Sequence, residues 1–195
     1  MTTGCRRTGP MGSISSAATC RAWHGWISSR FVRLFLRPMG QSTAWTPRAE
    51  LDELGNGLCD SGKPFLWGVR PSEAQKISQE LRDRCMGNGL IVPWCPQIEV
   101  LAHKAIGCFL THCGWNSTKK AIAAGVPMVA MPRSADQPTN AKYVESAWKI
   151  GVRMQTNEKG LVCRAEVEGC IRKVMNGERK DEYRSDAGKF FSNAL

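Results

Sequence analysis

The chain has 195 residues, of which 42% are hydrophobic, and a formal net charge of +10 at pH 7. This length corresponds to roughly one domain, and the apolar content is sufficient for a globular core. No run of about eighteen consecutive apolar residues occurs, so we expect no membrane span. The nine cysteines show no paired spacing and no convincing secretory signal is present, which predicts reduced thiols in a cytoplasmic protein.

The positive charge is concentrated at the start of the chain. Residues 1–49 contain seven arginines and no lysine, aspartate or glutamate, whereas the remainder carries 20 basic against 17 acidic groups. The part of the chain after residue 49 is therefore close to neutral, and it contains no recognisable nucleic-acid module. Both observations argue against a nucleic-acid partner.

Residues 1–49 show neither a helical nor a strand period, and we find no strand-and-turn unit in them. An arginine-rich, serine-containing start without acidic residues is typical of a transit peptide for a plastid or mitochondrion. Three tryptophans and the absence of lysine favour a disordered or aberrant start instead, such as translation outside the ancestral reading frame. We predict an irregular tail over residues 1–49 and a folded domain over residues 50–195.

From Glu50 onward the hydrophobic pattern is regular and predicts alternating helices and strands. Leu51, Leu54 and Leu58 have helical spacing. Further helices are predicted over residues 72–85, 97–103, 117–124, 138–148, 165–175 and 179–191. Short apolar runs bounded by glycine or proline predict strands over residues 65–69, 90–92, 107–111, 126–131 and 151–154. This alternation indicates an α/β fold, a parallel Rossmann-like sheet with helices on both faces.

The sequence GCFLTHCGWNS at residues 107–117 predicts an anion-binding turn. Its apolar residues form a strand that feeds a helix through a turn at Gly114. Such a helix start presents unpaired backbone N–H groups and the positive end of the helix dipole, for which phosphate is a common ligand. His112, Asn116 and Ser117 add an imidazole, an amide and a hydroxyl that can bond phosphate oxygens. In a parallel sheet, ligands bind at the carboxyl ends of the strands, where this turn falls.

The stretch from Trp94 to Gln137 closely resembles the nucleotide-sugar signature of plant secondary-product glycosyltransferases, which use UDP-sugars. The resemblance covers 44 residues and includes WCPQ, VLAH, GCFLTHCGWNS, GVP and DQ. Weaker similarity extends from about residue 50 to about residue 184. The resemblance implies the C-terminal, donor-binding half of a GT-B glycosyltransferase, incomplete in this chain. The implied reaction transfers a hexose, with glucose expected, from the UDP-sugar to a small carboxylic acid or phenol and needs no cofactor.

The resemblance also assigns ten residues to the donor. Trp94 stacks on uracil, the backbone of Cys95 contacts the edge of the base, and Gln97 binds the ribose. The diphosphate is bound by His112, Asn116 and Ser117, with Gly114 allowing close backbone approach; Trp115 borders the sugar pocket, and Asp136 and Gln137 bind sugar hydroxyls.

Each role has a structural alternative when the residue is considered alone. Trp94 could pack in the core, Gln97 could be an exposed helix residue, and Trp115 could be an aromatic plug. His112 could be a satisfied structural histidine. Asp136 could cap the helix that follows it.

Two other chemistries are weighed against nucleotide binding. A zinc site would use Cys95, His103, Cys108, His112 and Cys113. Their spacing of C-x7-H-x4-C-x3-H-C lacks the two-residue gaps of zinc fingers and ribbons. A nucleophilic pair of Cys113 with His112 has no identifiable orienting acid. We expect neither a metal site nor a covalent catalyst.

Three departures from the family pattern qualify the expected activity. Lys120 stands where the signature has a glutamate that binds both ribose hydroxyls, and lysine can only donate. No acceptor domain with a catalytic histidine is recognisable, because His24, the one histidine before the motif, lies in the irregular tail. We also expect the family's final helix to be missing at the end of the chain, Leu195.

We assign no catalytic residue and expect weak donor binding with little or no transfer, unless a partner chain supplies the acceptor half. The alternative is a non-catalytic fragment that binds nucleotide-sugar, or a degenerate relic.

Overall fold

The computed structural model describes residues 34–37 and 48–192, which form one parallel sheet covered by helices. The six strands lie in the order β3–β2–β1–β4–β5–β6. They are β1 (Leu34–Arg37), β2 (Phe65–Gly68), β3 (Gly89–Val92), β4 (Cys108–Thr111), β5 (Met128–Ala130) and β6 (Gly151–Arg153). All five strand pairs are parallel, as the alternation of strands and helices predicts.

Helices connect successive strands and close the described part of the chain. They are α1 (Arg48–Asp60), α2 (Pro71–Ala74), α3 (Gln79–Cys85), α4 (Gln97–Ala102), α5 (Trp115–Ala123), α6 (Gln137–Lys142), α7 (Arg164–Asn176) and α8 (Lys180–Ser192). Within the described ranges, no helix combines the length and apolar character that crossing a membrane requires.

Strand β1 corrects the expectation that residues 1–49 contain no strand. Leu34–Arg37 occupies the centre of the sheet, with Leu34 opposite Phe65 of β2 and also opposite Cys108 of β4. A central strand buried on both faces needs only a short apolar run without alternation, so a four-residue segment carries too little periodicity to be recognised. The rest of the predicted tail, residues 1–33 and 38–47, lies outside the described residues, as does His24.

Two predicted helices differ from the structure in their continuity. Residues 72–85 form two helices rather than one, because Ser78 is extended and caps α3, its hydroxyl accepting a hydrogen bond from the N–H of Leu81 at 3.2 Å. Residues 138–148 contain α6 followed by a π-helical segment, Tyr143–Ala147. The N–H of Trp148 there donates to the carbonyl of Tyr143 at 2.8 Å. The other predicted elements agree with the structure to within two residues at each end.

The core lies on both faces of the sheet because alternate strand residues point in opposite directions. Phe65 and Trp67 pack with α1, α3 and α7 on one face, whereas Leu66 belongs to the cluster on the other face with α4, α5 and α6. Helix α8 contributes to both clusters, through Tyr183 and Ala187. Strands β2, β4 and β5 are buried along their whole length, which holds their carboxyl ends in fixed positions.

Helices α1 and α7 approach closely at Gly57, and this contact gives a stability prediction. A Cβ at Gly57 would lie 2.5 Å from Cβ of Val167 and 2.7 Å from the carbonyl oxygen of Arg164. Overpacking outweighs the better helix propensity of alanine, so we expect Gly57→Ala to lower the free energy of unfolding by about 1–2 kcal/mol. The matched control is Gly169→Ala in α7, where a Cβ meets nothing within 4 Å. We expect that variant to be more stable than wild type in urea unfolding; equal effects at the two positions would contradict the packing argument.

Candidate functional site

The strand order changes direction between β1 and β4, which defines the topological switch point of the sheet. In open α/β sheets, ligands bind in the crevice outside the carboxyl ends of the strands at such a point. Strand β4 ends at Thr111, and only His112–Gly114 separates it from the start of α5. The turn predicted to bind phosphate therefore lies where this fold favours a ligand.

The backbone of the turn is strained at Cys113 rather than at Gly114. Cys113 has a φ of 58°, in the left-handed region, and its N–H donates to Oγ1 of Thr111 at 3.2 Å. Gly114 has an ordinary φ of −59°, and a Cβ there would meet nothing within 4 Å. Neither backbone conformation nor packing within the protein therefore requires a glycine at this position. The open space beside Gly114 could accommodate part of a ligand.

Asp136 caps α5, not the helix that follows it. The Oδ2 atom of Asp136 accepts hydrogen bonds from the N–H of Trp115 at 2.9 Å and from Nδ2 of Asn140 at 2.7 Å. The same Asn140 amide donates to the carbonyl of Cys113 at 2.8 Å. Asp136 is the N-cap residue of α6 by position but makes no side-chain cap there, so the alternative interpretation of this residue is wrong. These bonds connect the loops that follow β4 and β5.

Sequence reasoning missed Asn140, although one signal could have indicated it. Asn140 lies four residues after Asp136, and residues at this spacing are neighbours on a helix surface. Its buried amide holds both the strained turn and the Asp136 carboxylate. We therefore regard Asn140 as a residue that positions the turn rather than as a ligand-binding residue.

Gln97, Ser117 and Lys120 meet between α4 and α5. The Nε2 atom of Gln97 donates to Oγ of Ser117 at 3.2 Å, and its Oε1 atom lies 3.4 Å from Nζ of Lys120. Gln97 is only 4% exposed, so the alternative of an exposed helix residue is wrong. The ammonium group of Lys120 is thus directed at the amide that the resemblance assigns to the ribose.

The two tryptophans of the signature are half exposed in the described structure. Trp94 follows β3 and is 52% exposed, while Trp115 at the start of α5 is 50% exposed. Neither is a core residue or a buried plug, so both structural alternatives are wrong. Nζ of Lys119 lies 5.8 Å from the centroid of the Trp115 ring. Each indole retains apolar surface on which a flat ring can stack.

Gln137 is buried and holds the loop that follows β5. Its Oε1 atom accepts hydrogen bonds from the N–H groups of Arg133 at 2.9 Å and Ser134 at 3.3 Å. Arg133 in turn forms an ion pair with Glu50 at the start of α1, whose side chain is 1% exposed. The sequence analysis missed this pair because its two residues are remote in sequence and lie on different elements. The amide nitrogen of Gln137 has no acceptor within the described ranges, which leaves it as the group that could meet a ligand.

His112 is buried and neutral. Its side chain is 8% exposed, and Nδ1 has no hydrogen-bond partner in the described structure. Burial lowers the pKa of His112 to about 4 because the charged form loses its hydration. A neutral imidazole has one N–H donor and one acceptor nitrogen. The alternative, in which hydrogen bonds within the protein satisfy both ring nitrogens of His112, is therefore wrong.

Neither rival chemistry gains support from the geometry. Burial raises the pKa of the Cys113 thiol to about 12, which opposes formation of the thiolate that a nucleophile needs. In the parts of the chain that the structure describes, no group of three or more His, Cys, Asp or Glu side chains is placed to hold a metal ion. The polar groups that converge here are suited to hydrogen bonding instead.

Comparison with known proteins places this chain in a family. A family model described as "UDP-glucoronosyl and UDP-glucosyl transferase" matches residues 36–186. "UDP-glycosyltransferase 79" from Oryza sativa subsp. japonica is 62% identical over 146 residues, which are 75% of this chain and 31% of the relative. "UDP-glucosyltransferase UGT13248" from Hordeum vulgare subsp. vulgare is 61% identical over 145 residues, which are 74% of this chain and 30% of the relative. The chain thus spans about a third of the length of these curated relatives.

Solved structures agree with the sequence relatives. Os79 from O. sativa in complex with UDP has a TM-score of 0.84 at 54% identity, over 88% of this chain and 38% of that one. Phytolacca americana UGT2, complexed with UDP-2fluoro-glucose and pterostilbene, has a TM-score of 0.80 at 34% identity. The match covers 87% of this chain and 39% of that one. These matches confirm both the predicted resemblance and the GT-B fold class. Because the family model covers more than half of its residues, the chain belongs to the family of UDP-glucoronosyl and UDP-glucosyl transferases.

Proposed function

We propose that the site at the carboxyl edge of the sheet binds a UDP-sugar, with glucose as the sugar. The observation that carries this proposal is the start of α5 at the switch point, close to the buried, neutral His112, whose Nδ1 atom has no hydrogen-bond partner in the described structure. The N–H of Asn116, in the first turn of α5, has no acceptor within the helix. Together with the helix dipole, such donors favour a diphosphate.

The proposed roles follow the order of the ligand's parts. Trp94 stacks on uracil with the Cys95 backbone at the base edge, and Gln97 faces the ribose. His112, Asn116 and Ser117 donate to the diphosphate, for which the open space beside Gly114 leaves room. Trp115, Asp136 and Gln137 border the sugar, where a carboxylate and an amide suit vicinal hydroxyls. Asp136 retains acceptor capacity because its Oδ2 atom alone carries the bonds to Trp115 and Asn140.

The reaction proposed for the whole protein is transfer of glucose to a small plant carboxylic acid or phenol. An acceptor group attacks the anomeric carbon, and UDP leaves with inversion. The donor site contributes by stabilising charge on the departing diphosphate through fixed N–H donors. We assign the catalytic base and the acceptor pocket to none of the described residues, and a partner chain that supplies them is part of the proposal. A cytoplasmic location is proposed as well, since the seven described cysteines are all free thiols.

A second candidate function is nucleotide-sugar binding without transfer, and Lys120 is the observation that favours it. Its ammonium group occupies the surroundings of Gln97 with a donor where the family signature supplies two acceptor oxygens. Ribose hydroxyls would then lack their charged partner. The loss of such hydrogen bonds weakens binding by about ten- to a hundredfold.

The test is calorimetric titration of the full chain with UDP and UDP-glucose, comparing wild type with Lys120→Glu. We expect the variant to bind UDP about ten- to a hundredfold more tightly, because a carboxylate restores paired acceptors for the ribose. The matched control is Lys119→Glu, which makes the same change of charge one position away on an exposed side chain. We expect the control to bind no more tightly than wild type, since added negative charge alone disfavours a diphosphate.

The outcomes separate the two parts of the proposal. If wild type binds weakly and only the Lys120 variant improves, the donor site and the role of Lys120 are both supported. Equal affinities of wild type and Lys120→Glu would show that the lysine is tolerated at the ribose. If no variant binds UDP while circular dichroism shows a folded chain, the proposal of a donor site is wrong.

A further inference from the structure

A pair of thiols lies at the amino edge of the sheet, remote from the donor site. Cys59 is the second-last residue of α1, and Cys85 is the last residue of α3. Their Sγ atoms are 3.5 Å apart, within hydrogen-bonding distance for sulfur. Cys59 is half-buried, whereas Cys85 is 1% exposed. One thiol of the pair is therefore reachable from solvent, and the other is directly behind it.

Two arginines and one carboxylate lie near the accessible thiol, and the carboxylate of Asp60 opposes the effect of the arginines on its pKa. Arg84 donates to Asp60, the neighbour of Cys59, and Arg164 of α7 pairs with the same carboxylate. The pKa of Cys59 is lowered, chiefly by the hydrogen bond from Cys85 and further by the charge of Arg84. The pKa of Cys85 is raised by that hydrogen bond and by burial. Cys59 is thus the sulfur that ionises first, while Cys85 keeps its proton.

We propose that Cys59 and Cys85 form a dithiol site that reacts with hydrogen peroxide and closes to a disulfide between α1 and α3. The Cys59 thiolate attacks one oxygen of hydrogen peroxide, the O–O bond breaks, and a sulfenic acid forms. The hydroxide that leaves takes up a proton equivalent to the one that Cys59 released on ionising, which gives the first water. The Cys85 sulfur then attacks the Cys59 sulfur. An S–S bond forms, and the sulfenic hydroxyl leaves as water with the proton from Cys85. Both sulfurs are oxidised, and one peroxide is reduced to two waters.

The surroundings permit the closure. A disulfide needs the sulfurs about 2.0 Å apart, so the present separation of 3.5 Å must shrink by roughly 1.5 Å. Cys85 ends its helix and is followed by the exposed turn Met86–Asn88, in which Met86 is 74% exposed. Cys85 belongs to the core cluster, so we expect the approach of the two sulfurs to come mainly from the half-buried Cys59 side and from rotation of the two side chains.

Four other thiols in the described ranges do not share this arrangement. Burial raises the pKa values of Cys108, Cys113 and Cys170, and these thiols resist ionisation. Cys163 is half-buried like Cys59, but no second thiol contacts it among the described residues. Cys163 is accordingly the natural control for a thiol of similar exposure without a resolving partner.

The experiment treats the reduced full chain with hydrogen peroxide and maps disulfides by tryptic digestion and mass spectrometry, with fragmentation to distinguish Cys85 from Cys95. We expect a Cys59–Cys85 cross-link that has lost two hydrogens and is reversed by a thiol reductant. Closing this loop restricts the unfolded chain, so the oxidised protein should melt several degrees higher than the reduced protein. Cys59→Ser and Cys85→Ser should abolish the shift, and Cys163→Ser should retain it.

Two results would overturn the proposal. One is stable sulfenic acid at Cys59, trapped by dimedone in wild type without any cross-link to Cys85, because it would show that Cys85 does not resolve it. The other is an oxidation-dependent rise in melting temperature that persists in both serine variants. Disulfide mapping of the wild-type protein tests for the Cys59–Cys85 cross-link even if a serine variant folds poorly.

Discussion

Replacement of Arg133 by alanine is expected to lower the free energy of unfolding by about 3–5 kcal/mol, because it leaves the buried Glu50 carboxylate without its partner. The Glu50 side chain is 1% exposed, whereas that of Arg133 is 24% exposed, so the charge left behind is the one that water cannot reach. Urea unfolding at pH 7, followed by circular dichroism, measures the loss. The loop that follows β5, to which Arg133 belongs, would also lose its ion pair with α1.

Two comparisons isolate the cause of this loss. Arg179→Ala removes one partner of an exposed pair with Glu182, and we expect it to change stability by less than about 1 kcal/mol. A Glu50→Gln/Arg133→Ala double variant removes the buried charge as well, so it should recover a large part of the loss. If Arg133→Ala lowered the free energy of unfolding as little as Arg179→Ala, the ion pair of Glu50 with Arg133 would make no special contribution to stability.

Between pH 6.5 and pH 4, the protein is expected to lose about 3 kcal/mol of stability through His112 alone. Burial lowers the pKa of His112 from its ordinary 6.5 to about 4. Above pH 6.5 the imidazole is neutral in both the folded and the unfolded chain, and stability is complete. As the pH falls through this window, the unfolded chain binds a proton that the folded chain does not, so unfolding is favoured. Each unit of difference in pKa corresponds to about 1.4 kcal/mol.

The check is a series of urea unfolding curves from pH 7.5 to pH 4 on wild type and His112→Asn. The variant should lose about 3 kcal/mol less than wild type over the acid range, because asparagine has no proton to take up. The measurement at pH 7.5 serves as the control, since it gives the constant offset caused by the substitution itself. Parallel curves for the two proteins would mean that His112 is not the buried neutral group described above.

The elements from Glu50 onward could be predicted because their signals are local. The spacing of Leu51, Leu54 and Leu58 and the apolar runs bounded by glycine or proline depend only on near neighbours in sequence. Strand β1 could not be predicted, because its four residues become a strand only through pairing with β2 and β4, which lie far along the chain. Long-range pairing of this kind leaves no period in so short a segment.

The candidate site was predictable where the chemistry is local to the motif, and less so where it depends on contacts between loops. The strand, turn and helix around His112 follow from GCFLTHCGWNS, and the structure brings Gln97 and Ser117 within hydrogen-bonding distance of each other. Their assignments to the ribose and to the diphosphate stay predictions. The capping of α5 by Asp136 requires the loops after β4 and β5 to meet. The ion pair of Glu50 with Arg133 joins two residues between which the chain forms four of the six strands. Such partners have no fixed spacing in sequence. The left-handed backbone conformation likewise could not be predicted, because it falls on Cys113 and not on the neighbouring glycine, which is the residue type that usually adopts it.

The central place of β1 has a consequence for how the molecule assembles. Its two neighbours, β2 and β4, do not touch each other, so without Leu34–Arg37 the sheet would consist of separate two- and three-stranded halves. Each half would then present an open row of unpaired backbone groups, the kind of edge on which chains associate wrongly. The backbone pairing of these four residues therefore joins the two groups of strands into one sheet. Until β1 pairs with both neighbours, the strand ends that border the candidate site are not joined in one sheet, and we expect the chain to be most prone to aggregation at this stage.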